Sequence, residues 1–289
     1  MSDQAQMLRN LVQSQASRQE KQTRVITVTS GKGGVGKSNF SLNFALMLQS
    51  KGYKVLLFDA DVGMANIDVL MGSSPKYSLY HLLKREQSIW DIIHTGYNNL
   101  QFIAGGSGFN DLLNLDDTEI DYFVEQVGQL NGHVDFILFD TGAGLSKEAF
   151  RFIVAAQETV VVTTPEPTSI TDAYALIKMV HSMNGQTPFK LVVNRVTDLK
   201  EGRQTADKIS MVARQFLGLE LPLLGYIDED IHVSKAVKKQ IPFTVLYPSC
   251  AATRAVHGIM ERFLSGQLES GEQAGGVKSF LNKMMKLLK

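Results

Sequence analysis

Strand-like and helical runs alternate from residue 24 to about residue 264. They predict a doubly wound α/β fold, a mostly parallel sheet flanked by helices. Three observations carry this. Runs at 25–29, 55–59, 100–104, 136–140, 159–163, 191–194 and 223–226 read as strands, and several are apolar almost throughout, as strands covered on both faces are. Segments 39–48, 118–130, 147–155, 169–183 and 204–217 carry apolar residues at helical spacing. A glycine-rich loop joins the first strand to the first helix, and in such folds ligands bind outside the carboxyl ends of the strands.

The chain opens on a polar, glutamine-rich arm, residues 1–23, with Leu8, Leu11 and Val12 at helical spacing. That apolar stripe is too short to form a core of its own. After the first strand comes Gly31-Lys32-Gly33-Gly34-Val35-Gly36-Lys37-Ser38, a complete G-x-x-x-x-G-K-S, followed by Asn39. The glycines let backbone N–H groups wrap an anion at a helix N-terminus, where the helix dipole also favours negative charge. Lys37 is placed to reach the β- and γ-phosphates of a nucleotide, and the Ser38 hydroxyl to bind Mg²⁺.

The second strand ends at Asp59, with Asp61 two residues on and Asn66 beyond it. A carboxylate at such a strand end can hold a metal-bound water, the role assigned to Asp59. One two residues later can orient the attacking water, the role assigned to Asp61. The strand 136–140 places four apolar residues before Asp140, which reads as a second Mg²⁺ carboxylate acting through water. Thr141-Gly142-Ala143-Gly144 follows, with glycines able to bring N–H groups near the γ-phosphate.

These motifs resemble the MinD/ParA family of dimerising ATPases, in which the loop has a lysine directly after its first glycine, as Lys32 stands here. The resemblance spans most of residues 24–264. It implies a P-loop NTPase fold, Mg²⁺-dependent ATP hydrolysis, and a Lys32 that reaches across a dimer interface to the partner's nucleotide. The D-x-D-x-x-x-x-N run makes Asn66 part of the family's first switch. The family's D-x-P-A-G has Gly142 in place of proline here. Thr163-Thr164-Pro165-Glu166 with Ser169 and Asp172 resembles a segment near the dimer interface; a turn with Thr168 or Ser169 capping the next helix explains the same residues. Asn194-Arg195 resembles the pair beside adenine, and Thr197 stands where a guanine site of the N-K-x-D kind has aspartate. Gly225-Tyr226-Ile227-Asp228-Glu229-Asp230 resembles a G-x-I-P-x-D loop without its proline.

Asp3, Gln4, Ala5, Leu8 and Arg9 resemble the D-Q-A-x-x-L-R signature of the FlhG (FleN, YlxH) family of MinD-like flagellar-number regulators. The resemblance implies that this arm engages and activates the FlhF GTPase, and that flagellar switch-ring (C-ring) proteins are further partners.

Residues 265–276 read as a flexible linker. In the terminal segment 277–289, Val277, Phe280, Leu281, Met284, Met285 and Leu288 share one helical stripe. Lys278, Lys283, Lys286 and Lys289 occupy the rest, without one acid. Such a helix is an anchor for an anionic membrane surface, or it docks back on the domain, or nucleotide state decides between the two.

Composition bounds the alternatives. Of 289 residues, 44% are hydrophobic, enough for one sizeable core. Lys plus Arg equals Asp plus Glu at 29 each, so no global field advertises a nucleic-acid partner. The lone Cys250 excludes an internal disulfide and the cysteine ligands of iron–sulfur scaffold ATPases. No apolar run approaches the roughly 20 residues needed to span a bilayer, and the N-terminus lacks a signal-peptide core. The expected location is the cytoplasm, with reversible association to the inner face of the membrane. A MinD-type division-site ATPase shares core and tail but not the arm. A ParA-type DNA-segregation ATPase lacks the amphipathic tail and binds DNA with steep salt dependence.

Overall fold

The computed structural model of the chain describes residues 22–61, 66–105, 117–144, 146–185, 187–268 and 276–288. The arm signature Asp3, Gln4, Ala5, Leu8 and Arg9 lies outside them, as do Gly63 to Ala65 of the switch and most of the expected linker.

Eight strands form one sheet: β1 (Arg24–Thr29), β2 (Val55–Ala60), β3 (His94–Thr95), β4 (Gln101–Ile103), β5 (Phe136–Thr141), β6 (Glu158–Thr163), β7 (Phe189–Val196) and β8 (Leu223–Asp228). Their order is β3-β4-β2-β5-β1-β6-β7-β8. All neighbours run parallel except β3 against β4. From β1 the chain crosses to β2 on one side and later to β6 on the other. That reversal opens a crevice at the carboxyl ends of β1, β5 and β6.

The period-two alternation of the central strands divides the apolar interior. Ile26, Val28, Leu57 and Leu138 point into one layer, and Val25, Leu56, Phe58, Ile137 and Phe139 into the other. The first layer is closed by α1 (Lys37–Ser50) and by α10 (Ala251–Leu268). There Phe44 stacks on Phe40 at 5.2 Å and meets Phe263 edge-on at 5.3 Å. Short helices α2 (Ile67–Leu70) and α3 (Leu79–Leu83) follow β2, and α4 (Asp117–Gly128), α5 (Lys147–Ala155), α6 (Pro167–Met183) and α7 (Leu199–Leu217) lie between the later strands. After β8 come α8 (Ile231–Lys238) and α9 (Phe243–Leu246).

The second layer is completed by the terminal helix α11 (Gly276–Leu288), which packs on α4, α5 and β1. Val277, Phe280, Leu281 and Met284 are all buried there. The Phe280 ring stacks on Phe139 at 4.9 Å with 15° between planes. Lys278, Lys283 and Lys286 face solvent, and Met285 is half-buried. The structure therefore holds the docked form of this helix.

Two element boundaries differ from expectation. Residues 265–268, expected as linker, continue α10 to Leu268. Its buried Val256, Ile259, Met260 and Phe263 already secure the helix, and one glycine, Gly266, costs only about 1 kcal/mol. Gly276 likewise starts α11, and 269–275 lie outside the described residues. The antiparallel strand β3 and helices α2, α3, α8, α9 and α10 were not legible, most being too short to show a period.

Phe44 tests the first layer. Phe44→Ala should cost about 3–5 kcal/mol, seen in urea unfolding as a lower midpoint at unchanged slope.

Candidate nucleotide site

The loop between β1 and α1 sits at the mouth of the crevice. Gly31 has no room for a side chain, since a Cβ there would collide with the Asp172 backbone of α6. Gly36 caps α1 with φ +90°, and a Cβ would collide with the Asn194 amide. These glycines are dictated by close backbone approach and by a left-handed turn. Gly33, Gly34, Val35, Ser38 and Asn39 complete the loop, with α1 beginning at Lys37.

Lys37 is buried, at 6% exposure. Its Nζ donates to Asp140 Oδ1 at 3.0 Å and to Ser38 Oγ at 3.2 Å. Ser41, a turn further along α1, places its hydroxyl 2.6 Å from the same Asp140 oxygen. The other oxygen, Oδ2, is buried without a hydrogen-bond partner. A buried carboxylate oxygen in that condition calls for a cation or an ordered water. The donor set therefore fits Mg²⁺: a hydroxyl at Ser38 and carboxylates at Asp59 and Asp140, oxygen ligands of the kind a hard cation takes.

Asp59 and Asp140 stand directly opposite one another in the β2–β5 ladder. Burial, followed by the neighbouring Asp140 charge, pushes the Asp59 carboxyl up to about 7, against the lowering by three amide hydrogen bonds. Those amides define a role the sequence reading did not assign. Oδ2 accepts from Asn66 N at 2.9 Å and Ile67 N at 3.1 Å, and Oδ1 from Asp61 N at 3.3 Å. Asp59 thus ties both ends of the switch to the strand. Asp61 faces Gly142: a Cβ on that glycine would lie 3.3 Å from Asp61 Oδ1.

Lys32 is half-exposed and held within its own chain. Its Nζ donates to Glu166 Oε2 at 3.0 Å and Thr168 Oγ1 at 2.9 Å. The expected cap at Thr168 or Ser169 is not what starts α6. Glu166 is the N-cap, Pro167 takes the first turn, and the buried Ser169 hydroxyl turns back to accept from Thr164 N at 3.1 Å.

Asn194 and Arg195 line a cavity of about 730 Å³ beside the loop, with Gly36, Asn39 and Phe40. Asn194 Nδ2 donates to the Val35 carbonyl at 2.7 Å, tying the end of β7 to the loop. Arg195 has φ +58° where the β7–β8 register slips, a local strain often seen at binding sites. The opposite wall comes from 227–238 and Phe243. Asp230 secures it by accepting from the His232 amide at 2.9 Å and the Ala252 amide at 3.2 Å. Burial raises the Asp230 carboxyl, but the His232 and Ala252 amides, the His232 ring and the Cys250 thiol outweigh it and bring it down to about 2. Only the Gly225–Asp230 motif pointed to this wall, because its remaining residues carry no chemistry-bearing pattern.

Residues 26–243 match the nucleotide-binding domain family described as CobQ/CobB/MinD/ParA. The chain is 38% identical over 272 residues to the flagellum site-determining protein YlxH of Helicobacter pylori, covering 92% of this chain and 91% of that one. It is 34% identical over 262 residues to the antiactivator FleN of Pseudomonas aeruginosa, covering 91% and 93%. Its fold is similar to that of the septum site-determining protein MinD from Pyrococcus horikoshii in complex with Mg-ADP. There the TM-score is 0.69 and the identity 26%, over 86% of this chain and 99% of that one.

The raised Asp59 carboxyl sets a pH dependence. Folded Asp59 holds its proton more tightly than an unfolded aspartate near 3.8, so the nucleotide-free protein loses stability as pH rises from about 4 to about 7. Asp59→Asn should remove that loss. The variant should be more stable than the parent by on the order of 2–4 kcal/mol at pH 8, with the gain vanishing towards pH 4. Urea unfolding in metal-free buffer across that range checks it.

Proposed function

The chain belongs to the CobQ/CobB/MinD/ParA family of nucleotide-binding domains, and on that premise we propose that it is a MinD-like, Mg²⁺-dependent ATPase switch regulating flagellar number and placement. The observation that carries the chemistry is the convergence of a complete phosphate loop with Lys37, Ser38 and the unpartnered Asp140 oxygen at one crevice. The flagellar reading rests on likeness to YlxH and FleN along nine-tenths of the chain.

The N–H groups of Gly33 to Ser38 would cradle the phosphates, and Lys37 would exchange Asp140 for the β- and γ-phosphate oxygens. Ser38 would hold Mg²⁺ through its hydroxyl, with Asp59 and Asp140 acting through water. When bound, the ion neutralises charge on the phosphate oxygens. Asp61 orients the attacking water, and Gly142 leaves space beside its carboxylate. Asn194 and Arg195 form one side of the adenine pocket, and α8 forms the other. ATP favours a homodimer in which Lys32 leaves Glu166 and Thr168 for the partner's nucleotide.

Membrane affinity resides in α11, through Phe280, Leu281, Met284, Met285 and Leu288 on the apolar stripe and Lys283 and Lys286 beside it. In the docked form four of the stripe's residues are buried, so the helix leaves its site to enter a bilayer. No helix among the described residues is long and apolar enough to cross a membrane, which suits peripheral binding. The arm, through Asp3, Gln4, Ala5, Leu8 and Arg9, folds onto the FlhF GTPase and activates it. Switch-ring proteins of the flagellar base are further partners.

Three measurements test this reading. With ATP, light scattering should show a dimer that Asp61→Ala accumulates and Lys32→Ala abolishes, while Lys32→Ala still binds nucleotide. Sedimentation with anionic vesicles should show ATP-dependent binding that Lys283→Glu with Lys286→Glu removes, each lysine contributing about 1 kcal/mol. Both lysines are exposed, so the fold survives the exchange. Separately, a peptide of residues 1–23 should raise FlhF GTP turnover, and Leu8→Ala or Arg9→Ala should weaken that effect. An inert peptide beside an active full-length chain would move the activator elsewhere.

A further inference from the structure

Ser41 is a polar side chain with no assigned part in the reaction, yet it is fully buried one turn beyond Lys37. Its oxygen lies 2.6 Å from Asp140 Oδ1 and 3.1 Å from the Lys37 carbonyl. Both neighbours are acceptors and a serine hydroxyl has one hydrogen. The short contact to a carboxylate is the stronger, so the hydrogen goes to Asp140. Oδ1 therefore takes two donors, Ser41 and Lys37, while Oδ2 takes none.

We propose that Ser41 is a positioning residue that fixes the Asp140 carboxylate, so that its second oxygen is presented to the nucleotide-bound Mg²⁺. The two donors on Oδ1 are not equivalent. Lys37 has a long flexible stem and, on the ATPase reading from which this inference proceeds, is drawn away by the phosphates. Ser41 hangs from the α1 backbone by one rotatable bond and stays. Asp140 loses its compensating cation at the moment the nucleotide and its metal arrive. At that step a carboxylate held at one oxygen keeps its orientation, and one without the serine turns about its side-chain bonds or retains Lys37. Groups that orient a metal-linked ligand typically change metal affinity by roughly 10- to 100-fold when removed.

The test compares the full-length chain with Ser41→Ala and Ser41→Thr. Mn²⁺ is titrated against each protein with the slowly hydrolysed analogue ATPγS and followed by electron paramagnetic resonance. The affinity for ATPγS in EDTA and the urea midpoint are measured alongside. Ser41→Ala should weaken Mn²⁺ binding roughly 10- to 100-fold, leave ATPγS binding in EDTA unchanged, and lower turnover in a way that excess Mg²⁺ restores. Ser41→Thr, which keeps the hydroxyl, should bind Mn²⁺ as the parent does. An unchanged Mn²⁺ affinity in Ser41→Ala overturns the proposal. So does an equal loss of ATPγS affinity in EDTA, which would make the serine a packing residue of the loop. A parent chain that takes up no Mn²⁺ with ATPγS overturns the ATPase reading itself.

Discussion

The buried pair between Lys37 and Asp140 is the interaction on which the site depends. Neither charge could stand alone at that depth, because an unpaired buried ion costs several kcal/mol. In the nucleotide-free chain each neutralises the other, and Ser38 and Ser41 supply further polar contacts. On the proposed function the pair is a placeholder of matched charge. A phosphate would bring anions for the lysine, and a divalent ion a cation for the aspartate. The exchange would then leave no buried charge uncompensated. The adjacent Asp59 shows the cost of the alternative. Buried beside Asp140, it accepts three backbone amides, yet burial and the Asp140 charge still drive its carboxyl up to about 7.

That pair exists because of the sheet order. β5 lies between β1 and β2, so the strand that carries Asp140 near its end stands beside both the loop strand and the strand that carries Asp59 near its end. This much was legible in the sequence. The strands were continuous apolar runs, and their terminal carboxylates stood out against them. Lys37, Ser38, Asp59 and Asp140 meet at one end of the sheet because parallel strands put all their carboxyl ends on one edge. The second neighbour of Lys32 was less visible. Glu166 is 134 residues away and meets it only through the turn into α6. Ser41 was visible in principle, as the residue four after Lys37 on a helix, but a lone serine in an apolar run carries no pattern of its own.

The cavity wall, and the choice of what covers the terminal helix, were not settled by the sequence for another reason. Residues 227–243 approach Asn194 through the β7–β8 pairing and the Asp230 cap on α8, a tertiary arrangement without a short-range code. Segment 277–289 announced an amphipathic helix clearly. Periodicity states how wide an apolar stripe is, not what covers it. A bilayer and the groove beside Phe139 and Phe152 are equivalent in that respect.

The two occupants of that stripe compete. The rings that would enter lipid are those stacked in the second layer, so on the proposed reading docking and insertion exclude each other for a given helix. An equilibrium of this kind lowers apparent membrane affinity by the fraction of molecules whose helix is free. On that reading, a single short helix with three exposed lysines would bind an anionic surface marginally, and the dock would weaken that further. Joining two chains works in the opposite direction, since the second helix then acts at high effective concentration. The dock also lies close to the candidate site. Phe280 stacks on Phe139, and Phe139 immediately precedes Asp140 in β5, the residue paired with Lys37. The helix therefore rests on the strand that carries Asp140, and on the proposed reading any shift of β5 when Lys37 leaves Asp140 would be applied directly to its bed.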